Sequence, residues 1–383
     1  MSRYPRLAFL LLVAAISLGL IWVTERQARR ALPAELYLSG ARLTAFTSLE
    51  PIDAHTHVFA AGPAFLEMLA RLHMQVLDIL FVDDRNSYRG PAGAERQDGL
   101  TFVATNAAHA RLCTTFDPFR FQEANFSQAA IAQLHEDYAR GAVALKIWKN
   151  IGMEITDSSG RYVMPDDERF EPIYRDAAAE HKTLIVHAAE PDEAWETGGG
   201  KGYFAPYYAA HPEWDMSKIP GAPRKELILQ ATDHLLELNP QLRVVGAHFG
   251  SMDMQLDELA ERLDRYPNFA VDTAARVISL ILQPRDRVRA FLIRYQDRIL
   301  YGTDLNFYPG SEDLVVAQAW QKAYGLDWRF FATDDRFYYK DVRTRGLALP
   351  PAVLQKLYHD NAVRWIPGIQ ARRAEAQSVN DTQ

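Results

Sequence analysis

Ile52-Asp53-Ala54-His55-Thr56-His57-Val58 sets two histidines one residue apart. Residues at that spacing do not share a helix face. On an extended strand they point the same way, with Cα atoms about 6–7 Å apart. Two imidazoles so placed can converge on one metal ion at about 2.0–2.1 Å. Pro51-Ile52 before the pair and Val58-Phe59 after it mark a buried strand and its exit. Asp53, two residues before His55, suits a carboxylate that orients a ligand, or a strand-end acceptor. A lone His-x-His is weak evidence, and its weight depends on whether later strands end in matching ligands.

Outward from this stretch, short apolar runs predict further strands over 74–82, 110–116, 142–148, 183–187, 243–248, 269–273 and 298–303. Amphipathic spacing predicts helices over 64–72, 100–110, 126–140, 166–181, 225–238, 256–266, 285–295 and 350–365. The stretch 86–99, rich in Gly, Pro and charge, reads as a loop, and 191–223 as a long irregular insert with several aromatics. Eight strand-then-helix units of this kind argue for a parallel sheet buried on both faces, and their number fits a (β/α)8 TIM barrel. An open doubly wound sheet is the alternative.

Ionisable residues recur at the ends of these strands. His55 and His57 end the first, Lys146 lies on the fourth, His187 ends the fifth, His248 the sixth and Asp304 the eighth. Burying a polar group without a partner is costly. One such histidine would suit a satisfied core position. Four histidines and an aspartate at successive strand ends argue for one shared site, because in a barrel these ends meet at one mouth.

The whole chain of 383 residues is 48% hydrophobic and 24% charged, ordinary values for a protein with a real core. A net charge of −7 and the lack of a basic stripe exclude a nucleic-acid partner. The single cysteine, Cys113, excludes a disulfide framework and a cysteine-based zinc site. Residues 7–24 carry no charge, with Arg3 and Arg6 before them and Arg26, Arg29 and Arg30 after. This length suits a membrane span, and bulky Leu20-Ile21-Trp22-Val23 stands where a cleavage site would. The expected organisation is a signal anchor over 1–30, a linker over 31–48, the barrel over 49–369 and a polar tail over 370–383. A cleaved signal peptide is the alternative. A single-pass anchor would set the barrel outside the cytoplasm, in a periplasmic location, although basic residues flank both sides of the span.

Asp-Ala-His-Thr-His at 53–57, Val-His at 186–187, Gly-Ala-His at 246–248, Tyr-Gly-Thr-Asp at 301–304 and Asp-Asn-Ala-Val-Arg at 360–364 resemble the amidohydrolase superfamily. The likeness is to the branch that contains aminocarboxymuconate-semialdehyde decarboxylase and related metal-dependent hydrolases. It covers nearly all of the chain beyond residue 50. The resemblance implies that His55, His57, His187 and Asp304 hold one divalent metal, with His248 as the catalytic histidine and Asp304 moving a proton. This nitrogen and oxygen set suits Zn²⁺, and accommodates Mn²⁺ or Fe²⁺.

Such a metal lowers the pKa of water towards about 7 and polarises a carbonyl. The expected activity is hydrolysis of a C–N or C–O bond in a small amide, lactone or ester. Non-oxidative decarboxylation of a small carboxylic acid is the alternative, and a non-catalytic binding protein on the same barrel the second. Lys146 faces the barrel interior with Trp148. In binuclear relatives a lysine here is carbamylated and bridges two metals; with a single metal, the reading preferred here, it binds a substrate carboxylate or phosphate. Arg276, after strand seven, suits either an anion clamp or a surface ion pair. Lys149 reads as a loop charge, and the insert as a lid or a packed rim. The partners expected are a small-molecule substrate and the membrane; a homodimer is left open.

Overall fold

The apolar runs form parallel strands of one curled sheet: β1 (Ile52–Val58), β2 (Gln75–Ile79), β3 (Ala110–Thr115), β4 (Ala142–Ile147), β5 (Thr183–Val186), β6 (Arg243–Gly246), β7 (Phe269–Asp272), β8 (Ile299–Leu300) and β9 (Leu305–Phe307). These elements come from a computed structural model that describes residues 38–82, 92–196 and 202–370. The expected anchor over 1–30 lies outside the described residues, as do all but the first residue of the 370–383 tail. Among the described residues no helix is long and apolar enough to cross a membrane.

Successive strands pair in order, and β1 also pairs with β9, Thr56 beside Leu305 and His57 beside Asn306. β8 pairs with β7 on its other side. β8 and β9 are two halves of one strand, broken over Tyr301–Asp304. Backbone bonds from Ala54 N to the Tyr301 carbonyl (2.9 Å) and from Asp304 N to the His55 carbonyl (2.8 Å) carry the pairing across the break. The ring therefore closes as an eight-stranded barrel, and the open-sheet alternative falls.

Inside the ring, Ile52, Ala54, Leu77, Ile79, Ala144, Ile185, Val245, Ala270 and Leu300 pack with Trp365 and Ile366 from the closing helical segment. Residues of the outer strand face, such as Val76, Leu112, Leu145, Leu184 and Val244, are buried with the surrounding helices. This two-sided burial explains the continuous apolar runs. The main helices of the outer layer are α1 (Gly40–Thr47), α2 (Pro63–Arg71), α3 (Ala92–Thr105), α4 (Phe126–Ala139), α5 (Glu171–Ala179), α6 (Ala205–Ala210), α7 (Lys225–Leu238), α8 (Leu256–Arg265), α9 (Arg285–Arg294) and α10 (Asp313–Ala332). The closing segment runs through Pro351–Gln355, Lys356–Asp360 and Asn361–Trp365, its middle turn wound wider than an α-helix.

Three stretches depart from expectation. Part of the 86–99 loop is helical, because α3 begins at Ala92. Its Gly99, a helix-weakening residue, lies where a Cβ would come within 2.9 Å of Leu80 and 3.0 Å of Leu112, so the glycine permits close packing of helix on sheet. The end of the expected linker is α1, whose buried Phe46 packs edge-on against Trp328 and Tyr358. Beyond Asp304, α10 and a hairpin of β10 (Arg336–Tyr339) and β11 (Val342–Arg345) fill a region for which no element was expected.

Candidate metal centre and its pocket

Strict alternation along β1 would send His55 away from the face that Ala54 occupies. The register with β2 slips between Asp53 and Thr56, and this bulge turns both histidines into the barrel mouth. Each imidazole is then fixed by its Nδ1. His55 Nδ1 lies 2.7 Å from Asp272 Oδ2, with both side chains buried. His57 Nδ1 donates to the Ile79 carbonyl at 2.6 Å, and His248 Nδ1 to the Ala274 carbonyl at 3.0 Å. A carbonyl only accepts, so in neutral His57 and His248 the Nε2 atom carries the free lone pair. The Nε2 atoms of His57 and His55 face Asp304, whose Oδ1 is 3.2 Å from the first and 3.5 Å from the second.

Ligand atoms of His55, His248 and Asp304 all lie within 4.8 Å of one another. This grouping includes His248, which the resemblance places off the metal, whereas His187 stands beside it. The His187 ring centroid is 4.2 Å from that of His248, and its buried Nε2 has no hydrogen-bond partner. An orphaned buried imidazole nitrogen beside such a cluster fits a residue that takes a metal. Lys146, 1% exposed, points inward as strand alternation predicts, with Nζ 3.4 Å from His55 Nε2.

The protonation states also fit a metal. Burial lowers His57 to about 4 and holds His187 and His248 well below the ordinary imidazole range. Burial alone would raise Asp304, but the facing His248, His57 and His55 hold its carboxyl well below the usual carboxylate range. Neutral imidazoles and an ionised carboxylate are the forms that bind a cation. Burial likewise lowers the Lys146 ammonium.

Backbone strain concentrates here. His248, Phe249, Ala275 and Asp304 have φ of 57°, 59°, 56° and 65°, the left-handed region that non-glycine residues rarely adopt. Each costs of order 1 kcal/mol and marks a position the surrounding fold must enforce.

The cluster floors a cavity of about 660 Å³. Phe204, Tyr207, His211, Glu213 and Trp214 from the insert form one wall, so the insert is part of the site. Arg276 is 5% exposed, which removes the surface ion-pair reading. Its guanidinium lies over the Phe204 ring, 3.7 Å from Asp253 Oδ1, and its Nε has no hydrogen-bond partner. Lys149 corrects a further expectation: it is a buried cation, paired with Glu190 and lying 4.0 Å above the Trp214 ring. Glu190 also accepts from Tyr208 Oη at 3.1 Å, which ties the insert to the barrel rim. Asp272 and Glu190 were absent from the sequence reading. Asp272 carried the same signal as the others, a charged residue closing an apolar run; Glu190, in a loop, carried none.

A family model described as Amidohydrolase matches residues 52–367. No curated protein matches the chain. Among similar solved structures, an uncharacterized TIM-barrel protein from Bordetella bronchiseptica is 15% identical, with a TM-score of 0.48, over 83% of this chain and 99% of that one. The 2,6-dihydroxybenzoate decarboxylase from Rhizobium is 13% identical, with a TM-score of 0.49, over 82% and 98%. The 5-carboxyvanillate decarboxylase from Sphingomonas paucimobilis is 13% identical, with a TM-score of 0.44, over 83% and 99%.

Proposed function

The chain belongs to the amidohydrolase family and is an enzyme, and we propose that it is a metal-dependent hydrolase of a small amide, lactone or ester. The observation that carries this reading is the convergence of Nε2 atoms on Asp304, with the unpartnered Nε2 of His187 beside them. His55, His57, His187 and Asp304 would hold one divalent ion, Zn²⁺ by its preference for this donor set and Mn²⁺ or Fe²⁺ as substitutes. When bound, the ion supplies a Lewis acid and a water whose pKa falls towards about 7.

The chain's own residues do the rest. His248, fixed by the Ala274 carbonyl, presents the lone pair of Nε2 to the cavity, where the neutral imidazole can take up a proton during the reaction. Ionised Asp304 accepts a proton and returns it to the leaving group. Arg276 and Lys146 bind an anionic group of the substrate. Phe204, Tyr207 and Trp214 give one side of the pocket an aromatic surface against which a substrate can pack.

The second reading, decarboxylation of a small carboxylic acid, is favoured by one feature: a buried guanidinium lining the cavity whose Nε makes no hydrogen bond, which suits a carboxylate. A centre of two ions bridged by carbamylated Lys146 would draw support from the 3.4 Å approach of Nζ to His55 Nε2. One experiment separates these readings. Elemental analysis of the purified chain is expected to return about one divalent ion, with His55→Ala and Asp304→Asn losing both metal and hydrolysis. Less than about 0.2 ions per chain, with no uptake of added Zn²⁺ or Mn²⁺, removes the catalytic reading. Two ions with the mass gain of carbamylation replace the single-metal one. Release of carbon dioxide without hydrolysis selects the decarboxylase.

A further inference from the structure

The hairpin of β10 and β11 has two unlike faces. Phe337 and Tyr339 point inward and are buried, and Tyr339 Oη donates to Asp327 Oδ1 at 2.8 Å. Outward stand Arg336 and Tyr338 on one strand and Arg343 and Arg345 on the other, with Lys340 at the turn, all of them exposed. Arg336 lies directly opposite Arg345, and Tyr338 opposite Arg343. Like charges opposite one another on a strand pair oppose folding, and here Asp334, paired with Arg345, offsets only part of the positive charge. Asp334 pairs with Arg345 and Arg285, and Asp335 with Arg42 and Arg329; Asp341 is the remaining acid of the turn. Arg336, Lys340 and Arg343 have no ion-pair partner among the described residues. Tyr338, 65% exposed, is the most exposed large apolar side chain described. In a chain of net charge −7 this is a local cationic face with an aromatic at its centre.

The described chain begins at Leu38, and Arg42 of α1 bonds Asp335, the residue before β10, at 2.9 Å. The first described helix therefore lies beside this hairpin. The apolar stretch 7–24 lies only 13 residues before Leu38 (25–37), a reach of at most about 45 Å.

We propose that the exposed face of the hairpin docks on anionic phospholipid headgroups of the membrane that holds the 7–24 stretch, with Tyr338 at the interface. The cations meet headgroup phosphates, and the phenol ring sits at the level where amphipathic aromatics collect. The tip of the hairpin also reaches the site wall: Lys340 Nζ lies 5.7 Å from the Tyr203 ring, next to cavity-lining Phe204. Docking would thus fix which way the pocket faces.

Cys113 is buried and is the only cysteine, so an introduced surface thiol can be labelled alone. The full chain carrying Tyr338→Cys and an environment-sensitive fluorophore is reconstituted into vesicles of phosphatidylcholine, with or without about 30% phosphatidylglycerol. Ala132→Cys, exposed on α4 across the barrel, is the control. Phosphatidylglycerol should blue-shift the 338 label and brighten it about twofold, and leave the 132 label unchanged. Salt at about 0.5 M, or the charge reversal R336E/K340E/R343E, should abolish the change. An equal response at 132, none at 338, one that persists in salt, or failure of the full chain to associate with vesicles would overturn the proposal. A concentration-dependent shift in detergent without lipid would also overturn it, by identifying a second copy of the chain as the occupant.

Discussion

Asp272 grips the back of His55, with Oδ2 2.7 Å from Nδ1, and its other oxygen accepts the backbone N–H of His248 at 2.8 Å and of Ala274 at 3.1 Å. One carboxylate on β7 therefore sets the orientation of a histidine from β1 and of the strained turn that carries a histidine from β6.

Asp272→Asn should weaken divalent-metal affinity by about 10–100-fold, because the carboxylate behind a ligating imidazole fixes its ring and raises its basicity. Competition with a chelator of known affinity measures it, and circular dichroism checks that the fold persists. Unchanged affinity would mean that His55 is not a ligand.

Arg276→Gln should raise KM for anionic substrates by about 10–100-fold, the cost of a lost charged hydrogen bond, and leave neutral esters nearly unaffected. Steady-state kinetics on matched charged and neutral substrates decide. An equal fall in kcat for both classes would assign Arg276 to the fold of the mouth instead of to substrate recognition.

Burial pushes the Asp78 carboxyl from its ordinary 3.8 up to about 7; Oδ1 accepts the Val58 N–H, and Oδ2 is buried without a partner. The folded state thus holds this proton more tightly than the unfolded one. Stability is highest below about pH 4 as far as this group is concerned, falls as pH rises to about 7, and is constant above. Asp78→Asn keeps the acceptor for Val58 and removes the charge. It should be near neutral at pH 4 and stabilise by a few kcal/mol, to an order of magnitude, at pH 8. Denaturant titrations at the two pH values measure this, and a gain that does not grow with pH refutes it.

The 7–24 stretch should tether the chain, with the barrel outside the cytoplasm. A fusion of residues 1–40 to alkaline phosphatase is expected to show activity in the membrane fraction. Soluble activity would mean cleavage, and no activity would mean that the barrel faces the cytoplasm.

Much of the barrel and its mouth could be read from residue order, for a physical reason. An imidazole or carboxylate that closes an apolar run is expensive, and a chain keeps it only where several meet. Asp272 carried that signal too, but Val271-Asp272-Thr273 is shorter and lacks a histidine to draw attention. The bulge in β1 left no trace, since it depends on how β2 pairs. Lys149 and Glu190, 41 residues apart, become partners only when the rim and the insert meet. Ala317, Trp320, Tyr324, Trp328 and Phe331 do carry helical spacing, so α10 was legible in principle. The part of α3 before residue 100 was masked by Gly99, whose role appears only when Leu80 and Leu112 are seen beneath it.

The break between β8 and β9 makes the closing seam of the barrel and the Asp304 carboxylate one piece of chain. His57 and Asp304 are 247 residues apart. At a synthesis rate of about 5–20 residues per second, Asp304 is made roughly 10–50 s after His57. A nascent chain therefore holds its first two histidines with no carboxylate facing them, and Asp304 arrives in the same step that seals the ring. The order of synthesis keeps the candidate metal centre from being complete before the barrel is.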